Sequence, residues 1–178
     1  FLVGHGASGA LAQRIYEHYG ARAIQQIQEN PFKLARDVSG IGFRTADKIA
    51  RACGVALDSP ERDQAGLLEV LSKAEEDGHT FLPLRHAIER ARELLESDDL
   101  ARPDATLRAA VDKLLSEQLV QVEKVPLRDE VLMRIELAMT ERAIARRLGD
   151  LLTTPPAAPL LPPAATEASP LKPWISTL

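Results

Sequence analysis

Residues 1–54 contain an internal repeat, which limits the possible fold more than any other feature of the sequence. Shifting the segment by 34 positions superimposes residues that begin a helix, face its core or end it: Gly6 on Gly40, Ala12 on Ala46, Arg14 on Lys48, Ile15 on Ile49 and Gly20 on Gly54. A unit of this length cannot bury its own apolar face. The repeat therefore predicts two helix–turn–helix units that pack into one group of four or five helices.

Apolar residues also recur with helical spacing along most of the chain. This spacing predicts helices at about 9–19, 23–29, 31–36, 44–53, 62–77, 83–97, 105–117 and 138–152. Pro31 and Pro83 stand where first-turn prolines are expected, and Gly20, Gly54 and Gly78 stand where helices end. Because aromatic residues make up only 4% of the chain, the core must consist mainly of Leu, Ala, Ile and Val.

Two segments depart from the helical pattern. Residues 119–123 alternate with period two, and residues 131–135 are expected to pair with them as a two-stranded hairpin across a turn at Pro126. Residues 153–178 contain seven of the 12 prolines and predict an extended linker or tail. The chain is therefore predicted to be mainly α-helical, with one short hairpin and a proline-rich end.

Cysteine content and hydropathy restrict the class of protein further. A single cysteine, Cys53, excludes an internal disulfide framework and a multi-cysteine metal site, and it favours a reducing cytoplasmic compartment. No apolar run reaches the length that crosses a membrane, so no membrane partner is expected. Since the chain opens at Phe1 rather than Met, we expect a fragment or a processed piece.

The charge of the chain is unevenly distributed. The net charge of −4 argues against a nucleic-acid binder that works by bulk attraction alone. Residues 1–60 nevertheless carry seven Lys or Arg against five Asp or Glu, and residues 31–54 carry five against two. Any anion site is therefore expected within 31–54.

The second copy of the repeat contains the tripeptide Gly40-Ile41-Gly42. Two glycines separated by one apolar residue predict a tight hairpin in which both glycines adopt dihedrals that are costly for other residues. Ile41 is expected to point inward as an anchor between two helices. The neighbouring amide groups then face outward at the start of the next helix, where unpaired N–H donors and the helix dipole suit a phosphate.

Three polar side chains follow this hairpin. Arg44 and Lys48 are four residues apart on one helical face, and Thr45 adds a hydroxyl group. We expect these residues to bind DNA together with Gly40, Ile41 and Gly42. Contacts of this kind follow the sugar-phosphate backbone and do not distinguish bases.

Residues 38–46 resemble the helix-hairpin-helix motif, apolar-x-Gly-apolar-Gly-x-x-x-Ala, whose family binds DNA without sequence specificity. The first copy is degenerate, because Ser8 replaces the second glycine and Ala7 the apolar anchor. An alternative frame uses Gly4-His5-Gly6 with Ala10, but only the frame shifted by 34 positions matches the following helices in length. We expect DNA contacts from this copy too, although packing support for the second copy is an equal alternative. Its candidate residues are Gly6, Ser8, Gly9 and Arg14.

The order of parts over residues 1–152 resembles free-standing RecD-like DNA helicases, on the segments Arg62-Asp63-Gln64-Ala65-Gly66, Gly78-His79-Thr80-Phe81-Leu82-Pro83 and 105–123. The resemblance implies a tandem helix-hairpin-helix unit at 1–58, a small helical, winged-helix-like domain at 59–152 and a linker or tail at 153–178. In that family a superfamily 1 motor follows, which unwinds DNA 5′ to 3′ using ATP and magnesium and serves DNA repair and recombination. The chain has no Gly-x-x-x-x-Gly-Lys-Ser/Thr loop, so it is expected to hold no catalytic residue of its own.

For several other residues the sequence favours structural roles over ligand binding. A winged helix over 62–135 would place Arg108 and Lys113 on its third helix, but the acidic surroundings favour packing against the motor or another DNA-repair protein. His79 and His86 lack a cysteine or a third histidine nearby, so a structural role is preferred to metal binding. Cys53 is expected in the core.

Two rival functions remain open from the sequence. A helix-hairpin-helix DNA glycosylase would need a lysine nucleophile near Arg44 and a catalytic aspartate near Asp58 or Asp63, but arginine does not readily lose its proton. A protein-interaction module would account for the acidic charge without DNA binding. Phe43 is the only aromatic residue beside the hairpin, so a stacking platform for single-stranded bases is not expected.

Overall fold

The computed structural model describes residues 3–5, 7–96, 102–125 and 130–154. Residues Phe1–Glu141 form one compact unit, and Arg142–Leu178 are assigned to a second. The mainly helical fold with a small antiparallel sheet is confirmed. The predicted turn at Pro126 and most of the proline-rich tail, residues 155–178, lie outside the described residues.

The repeated region begins with a 3-10 turn at Val3–His5 and contains four α-helices. Helix α1 spans Gly9–Tyr19, α2 spans Ala23–Glu29 after a 3-10 turn at Gly20–Arg22, α3 spans Lys33–Asp37 and α4 spans Phe43–Ala52. The preferred repeat frame superimposes the first residue of α1 on the first residue of α4, so the helix starts confirm it. The two hairpin anchors agree with it, since Ala7 is 4% exposed and Ile41 is 3% exposed. Pro31 is buried in the turn before α3, not in its first turn.

The following region contains three helices, a small sheet and a last helix. Its elements are α5 at Pro60–Glu76, β1 at Leu82–Pro83, α6 at Leu84–Leu95, α7 at Asp104–Ser116, β2 at Val120–Lys124, β3 at Glu130–Arg134 and α8 at Ile135–Thr153. The sheet order is β1-β3-β2, with Leu132 opposite both Leu82 and Val122.

Strand β1 was not predicted from the sequence. The prediction placed Pro83 in the first turn of a helix, but Pro83 pairs with Val131 at the sheet edge and is the N-cap of α6. An edge strand tolerates proline because no neighbour needs its missing N–H group. The hairpin formed by β2 and β3 lies within one residue of its predicted bounds.

One apolar core connects the repeated region with the helices that follow. A single cluster of buried side chains extends from Ile15 and Ile49 in the repeats to Leu67, Leu107 and Leu132. Helices α5 and α6 approach each other closely at Gly66, where an added Cβ atom would lie 3.0 Å from the Leu95 side chain.

A buried ion pair also joins α4 to α5. The Arg62 side chain is 2% exposed, and its Nε atom lies 2.8 Å from Asp47 Oδ1. The guanidinium also donates to Asp47 Oδ2 at 3.2 Å and to the carbonyl oxygens of Leu57 and Leu95, both at 3.3 Å. Four acceptors thus surround this buried cation, which balances the cost of removing it from water.

A second buried pair lies beside the first. Arg102 Nε is 3.3 Å from Asp63 Oδ1, and the two side chains are 3% and 0% exposed. Burial raises the pKa of Asp63, and the Arg102 and Arg62 charges offset only part of this shift. The sequence Arg62-Asp63 therefore supplies one partner to each buried pair. Asp63 thus has a structural role, whereas the glycosylase alternative would make it a catalytic aspartate.

The residues with predicted structural roles lie at or near the surface, and only for Cys53 was a core position expected. His79 and His86 are both exposed, and Cys53 is only half-buried at the edge of the core. Burial raises the pKa of the Cys53 thiol. Within the described ranges, no group of three or more His, Cys, Asp or Glu side chains could hold a metal ion. Among the same residues no helix is both long and apolar enough to span a membrane.

Candidate nucleic-acid interface

The second hairpin is the tight turn Ser39–Gly42 between α3 and α4. Its Gly40 has a positive φ of 78°, a conformation that favours glycine, as predicted. The Ile41 N–H group donates to the Val38 carbonyl oxygen at 3.1 Å, and the Ile41 side chain points into the core as the expected anchor. These contacts fix the direction in which the chain enters α4.

The prediction that Gly42 adopts a dihedral that is costly for other residues is wrong. Gly42 is extended, with φ −89° and ψ 172°, a conformation open to any residue, and an added Cβ atom would meet nothing within 4 Å. It serves as the N-cap of α4, and a side chain at this position would stand beside the first amides of the helix. Glycine therefore keeps the approach to those amides open.

The first amide groups of α4 differ in how they are bonded. The Thr45 N–H group donates to the Gly42 carbonyl oxygen at 3.1 Å, and the Phe43 N–H group donates to Glu69 Oε2 at 3.3 Å. The Thr45 side chain is half-buried. The amides of Gly42 and Arg44 have no hydrogen-bond partner among the described residues. Two open donors thus lie at the positive end of the α4 dipole, where an anion is favoured.

Three cationic side chains lie on α4 or contact the second hairpin. Arg44 and Lys48 are exposed on one face of α4, and neither has an ion-pair partner in the part of the chain that the structure describes. Arg14 reaches across from α1, and its Nη1 atom donates to the Ser39 carbonyl oxygen at 3.2 Å. An added Cβ atom at Gly40 would lie 2.7 Å from the same Nη1. The structure therefore places Arg14, a candidate of the first copy, against the second hairpin.

The first hairpin has fewer of the features that suit an anion. Ser8 is the N-cap of α1, and its hydroxyl oxygen accepts the Leu11 N–H group at 3.2 Å. The amides of Gly9 and Ala10 have no partner among the described residues, but Ala10 stands where α4 has Arg44. Gly6, also predicted to contact DNA, lies outside the described residues. The first copy thus offers open amides with less positive charge beside them.

A polar contact links the two repeats at the C-terminal ends of α1 and α3. Tyr19 Oη donates to Asp37 Oδ2 at 2.8 Å, and Arg36 Nε donates to Asp37 Oδ1 at 2.8 Å. Burial on its own raises the pKa of Asp37, but the hydrogen bonds from Arg36 and Tyr19 outweigh it, so the pKa is lowered overall. This carboxylate holds α3 against α1 and so supports the second hairpin.

The third helix of the following region presents mixed charge. Arg108 and Lys113 are exposed on α7, as a DNA-facing helix would require, but Lys113 Nζ lies 3.2 Å from Glu117 Oε1. Asp112 is exposed between them. The positive charge available on this face is therefore smaller than at the second hairpin.

Sequence reasoning missed two contacts of the second hairpin, the carboxylate of Glu69 and the reach of Arg14 to Ser39. Glu69 is far from Phe43 along the chain, and no local pattern connects them. The repeat itself offered a signal for Arg14, since it superimposes Arg14 on the cationic Lys48.

Two helix–hairpin–helix units with buried anchors and open amides at the helix starts define a tandem helix-hairpin-helix domain. Residues 1–81 match the family model described as the ATP-dependent RecD2 DNA helicase HHH domain. The chain is also similar to the ATP-dependent RecD2 DNA helicase of Deinococcus radiodurans, with 33% identity over 175 residues, covering 88% of this chain and 22% of the relative. Both findings confirm the predicted resemblance to the N-terminal region of RecD-like helicases. The chain spans about a fifth of the length of this curated relative.

Proposed function

We propose that this chain is the DNA-binding N-terminal region of an ATP-dependent helicase that unwinds DNA 5′ to 3′, and that its second hairpin binds the sugar-phosphate backbone. The observation that carries the proposal is the pair of open amides, Gly42 and Arg44, at the start of α4. Arg14, Arg44 and Lys48 supply positive charge around them. Similarity to the RecD2 helicase domain supports DNA as the source of the phosphate.

Burial of Phe43 supports backbone contacts over base stacking. The Phe43 side chain is 3% exposed and stacks on Phe32 with 6.1 Å between ring centroids. The ring beside the hairpin is therefore part of the core and is closed to nucleotide bases. Binding through amides and cations alone would be independent of sequence.

Few phosphates can be contacted, so the affinity is expected to be modest and to depend on salt. Each neutralised phosphate contributes a slope of about −0.9 to the plot of log affinity against log salt. Two or three contacts would weaken binding roughly ten- to fortyfold between about 50 mM and about 200 mM salt. A steeper slope would require more cationic contacts than Arg14, Arg44 and Lys48 supply.

In this proposal ATP and magnesium bind a motor domain in the same polypeptide, to which the region described here supplies DNA contacts. Residues 60–134 have the element order helix, strand, two helices and hairpin, which supports a winged-helix-like domain. Its mixed charge on α7 supports packing against the motor or another DNA-repair protein. The proposal includes a role in DNA repair or recombination in the cytoplasm, which the similarity to a DNA helicase supports.

A protein-interaction module is the second candidate function, favoured by the acidic side chains Glu29, Glu61, Glu117 and Glu136 around the groove between the repeats and α5. Fluorescence anisotropy of the whole chain with a duplex, a single strand and a fork separates the two functions. We expect salt-dependent binding, and Arg44→Ala should weaken it several-fold and reduce the salt slope by about one. Arg108→Ala is the matched control, because it removes the same charge from α7.

The absence of binding by the folded chain at low salt would overturn the DNA-binding proposal and favour the protein-interaction module. An equal effect of Arg44→Ala and Arg108→Ala on DNA affinity would instead overturn the assignment of the second hairpin as the binding site. Far-ultraviolet circular dichroism of each variant establishes that the helices remain folded.

A further inference from the structure

The start of α4 already holds one anionic group of the protein itself. Glu69 on α5 accepts the Phe43 N–H group at 3.3 Å through Oε2. Phe43 is the first residue of α4 and lies between Gly42 and Arg44, whose amides are open. The carboxylate therefore stands in the field of the same helix dipole that would attract a phosphate.

Glu69 has contacts that position its carboxylate, but its side chain is partly exposed to solvent. Lys73 Nζ lies 3.5 Å from Glu69 Oε1, and the Glu69 side chain is 21% exposed. Glu69 also lines a groove of about 450 Å³ between the α2–α3 turn and α5, together with Lys33 and Arg36. A carboxylate that leaves the Phe43 amide would thus enter an open groove lined by Lys33 and Arg36, but also by the acidic side chains Glu29, Glu61, Glu117 and Glu136.

We propose that Glu69 competes with DNA phosphate for the start of α4, so that the second hairpin is autoinhibited by a carboxylate of the adjoining helix. The inference rests on the proposed function, because a backbone phosphate is the ligand assigned to the open amides. A phosphate on Gly42 and Arg44 would lie beside the ionised carboxylate. DNA binding then requires Glu69 to move into the groove or to tolerate a second negative charge at close range.

Repulsion between the two anions sets the size of the effect. For unit charges roughly 6 Å apart in a largely hydrated setting, with an effective dielectric constant of about 40–80, Coulomb's law gives a penalty that corresponds to about a three- to tenfold loss of affinity. Added salt reduces this penalty, because the screening length shortens towards the separation of the charges as ionic strength rises. Removing the charge of Glu69 should therefore strengthen DNA binding, most clearly at low salt.

The variant Glu69→Gln tests this inference, since its amide oxygen can still accept the Phe43 N–H group while the charge is lost. Glu76→Gln is the matched control: Glu76 is exposed on the same helix, about 10 Å further along its axis, and the substitution changes the net charge equally. Glu69→Ala removes both the charge and the acceptor. Affinity for a short duplex is measured by anisotropy at about 50 mM and about 200 mM salt, with melting temperatures to confirm folding.

Competition predicts that Glu69→Gln and Glu69→Ala bind about three- to tenfold more tightly at low salt, while Glu76→Gln stays within about twofold of the unsubstituted chain. The inference is overturned if the unsubstituted chain binds but Glu69→Gln does not bind more tightly than Glu76→Gln. It is also overturned if Glu69→Ala weakens binding, because Glu69 would then position the hairpin. Absence of DNA binding by every variant would instead refute the proposed function itself.

Discussion

Replacing Asp47 by Asn should destabilise the chain strongly, although Asp47 lies on a helix with an apparently ordinary pattern of exposed charge. The substitution keeps the shape of the side chain and removes the charge that faces Arg62. Arg62 is 2% exposed, and two of its four hydrogen bonds end on Asp47. Breaking a buried pair from one side typically costs about 3–5 kcal/mol, because the remaining charge is buried without compensation.

The retained amide oxygen of the substituted residue can still accept from Arg62 Nε, so we expect a loss of about 2–3 kcal/mol, which is at or just below the lower limit of that range. For a unit of this size, such a loss lowers the melting temperature by roughly 4–12 °C. Urea unfolding followed by circular dichroism gives the free energy directly. Glu117→Gln is the control, since its pair with Lys113 is exposed and should contribute under about 0.5 kcal/mol.

A double variant shows whether Asp47→Asn destabilises the chain through the uncompensated charge of Arg62 or through loss of packing. Arg62→Met added to Asp47→Asn removes the uncompensated cation, so the double variant should be more stable than Asp47→Asn alone. A destabilisation below about 1 kcal/mol for Asp47→Asn would refute the reasoning, as would a double variant that is less stable than the single one.

Two further predictions concern the second hairpin and its support. Gly40→Ala should lower the free energy of unfolding by about 1–2 kcal/mol, because φ is 78° and the new methyl group meets Arg14. Gly42→Ala should lower it by well under about 1 kcal/mol, and the midpoints of urea unfolding compare the two variants. The lowered pKa of Asp37 means that its stabilising contribution is present above the unfolded pKa and is lost as pH falls through the folded value. The stability difference between the unsubstituted chain and Asp37→Asn should therefore shrink as pH falls below about 4, and a difference that is constant with pH would contradict this assignment.

The local features of the repeats were predictable because glycine, serine and helical periodicity determine them within a few residues. Helices α1 and α2 have their predicted bounds, and the repeat frame correctly aligned α1 with α4. The hairpin anchor Ile41 and the positive φ of Gly40 followed from the same short pattern. Each of these features depends on interactions between residues close together in the chain.

Features that depend on distant partners were not predictable. Strand β1 contains two residues, Leu82 and Pro83, which are too few to show an alternating pattern. The burial of Asp47 depends on Arg62 from the next helix, and the contact of Glu69 with α4 depends on how α5 packs. In each case the residue type is ordinary, and its role appears only when the helices are packed together.

Amide chemical shifts test the central claim most directly. Nuclear magnetic resonance of the isotope-labelled chain, titrated with a short duplex at low salt, reports each backbone N–H group separately. We predict that the Gly42 and Arg44 amides shift most, along one common binding curve, whereas the Ile41 amide changes little because it is bonded to Val38. Largest shifts on α7, with the Gly42 and Arg44 amides unchanged, would contradict it.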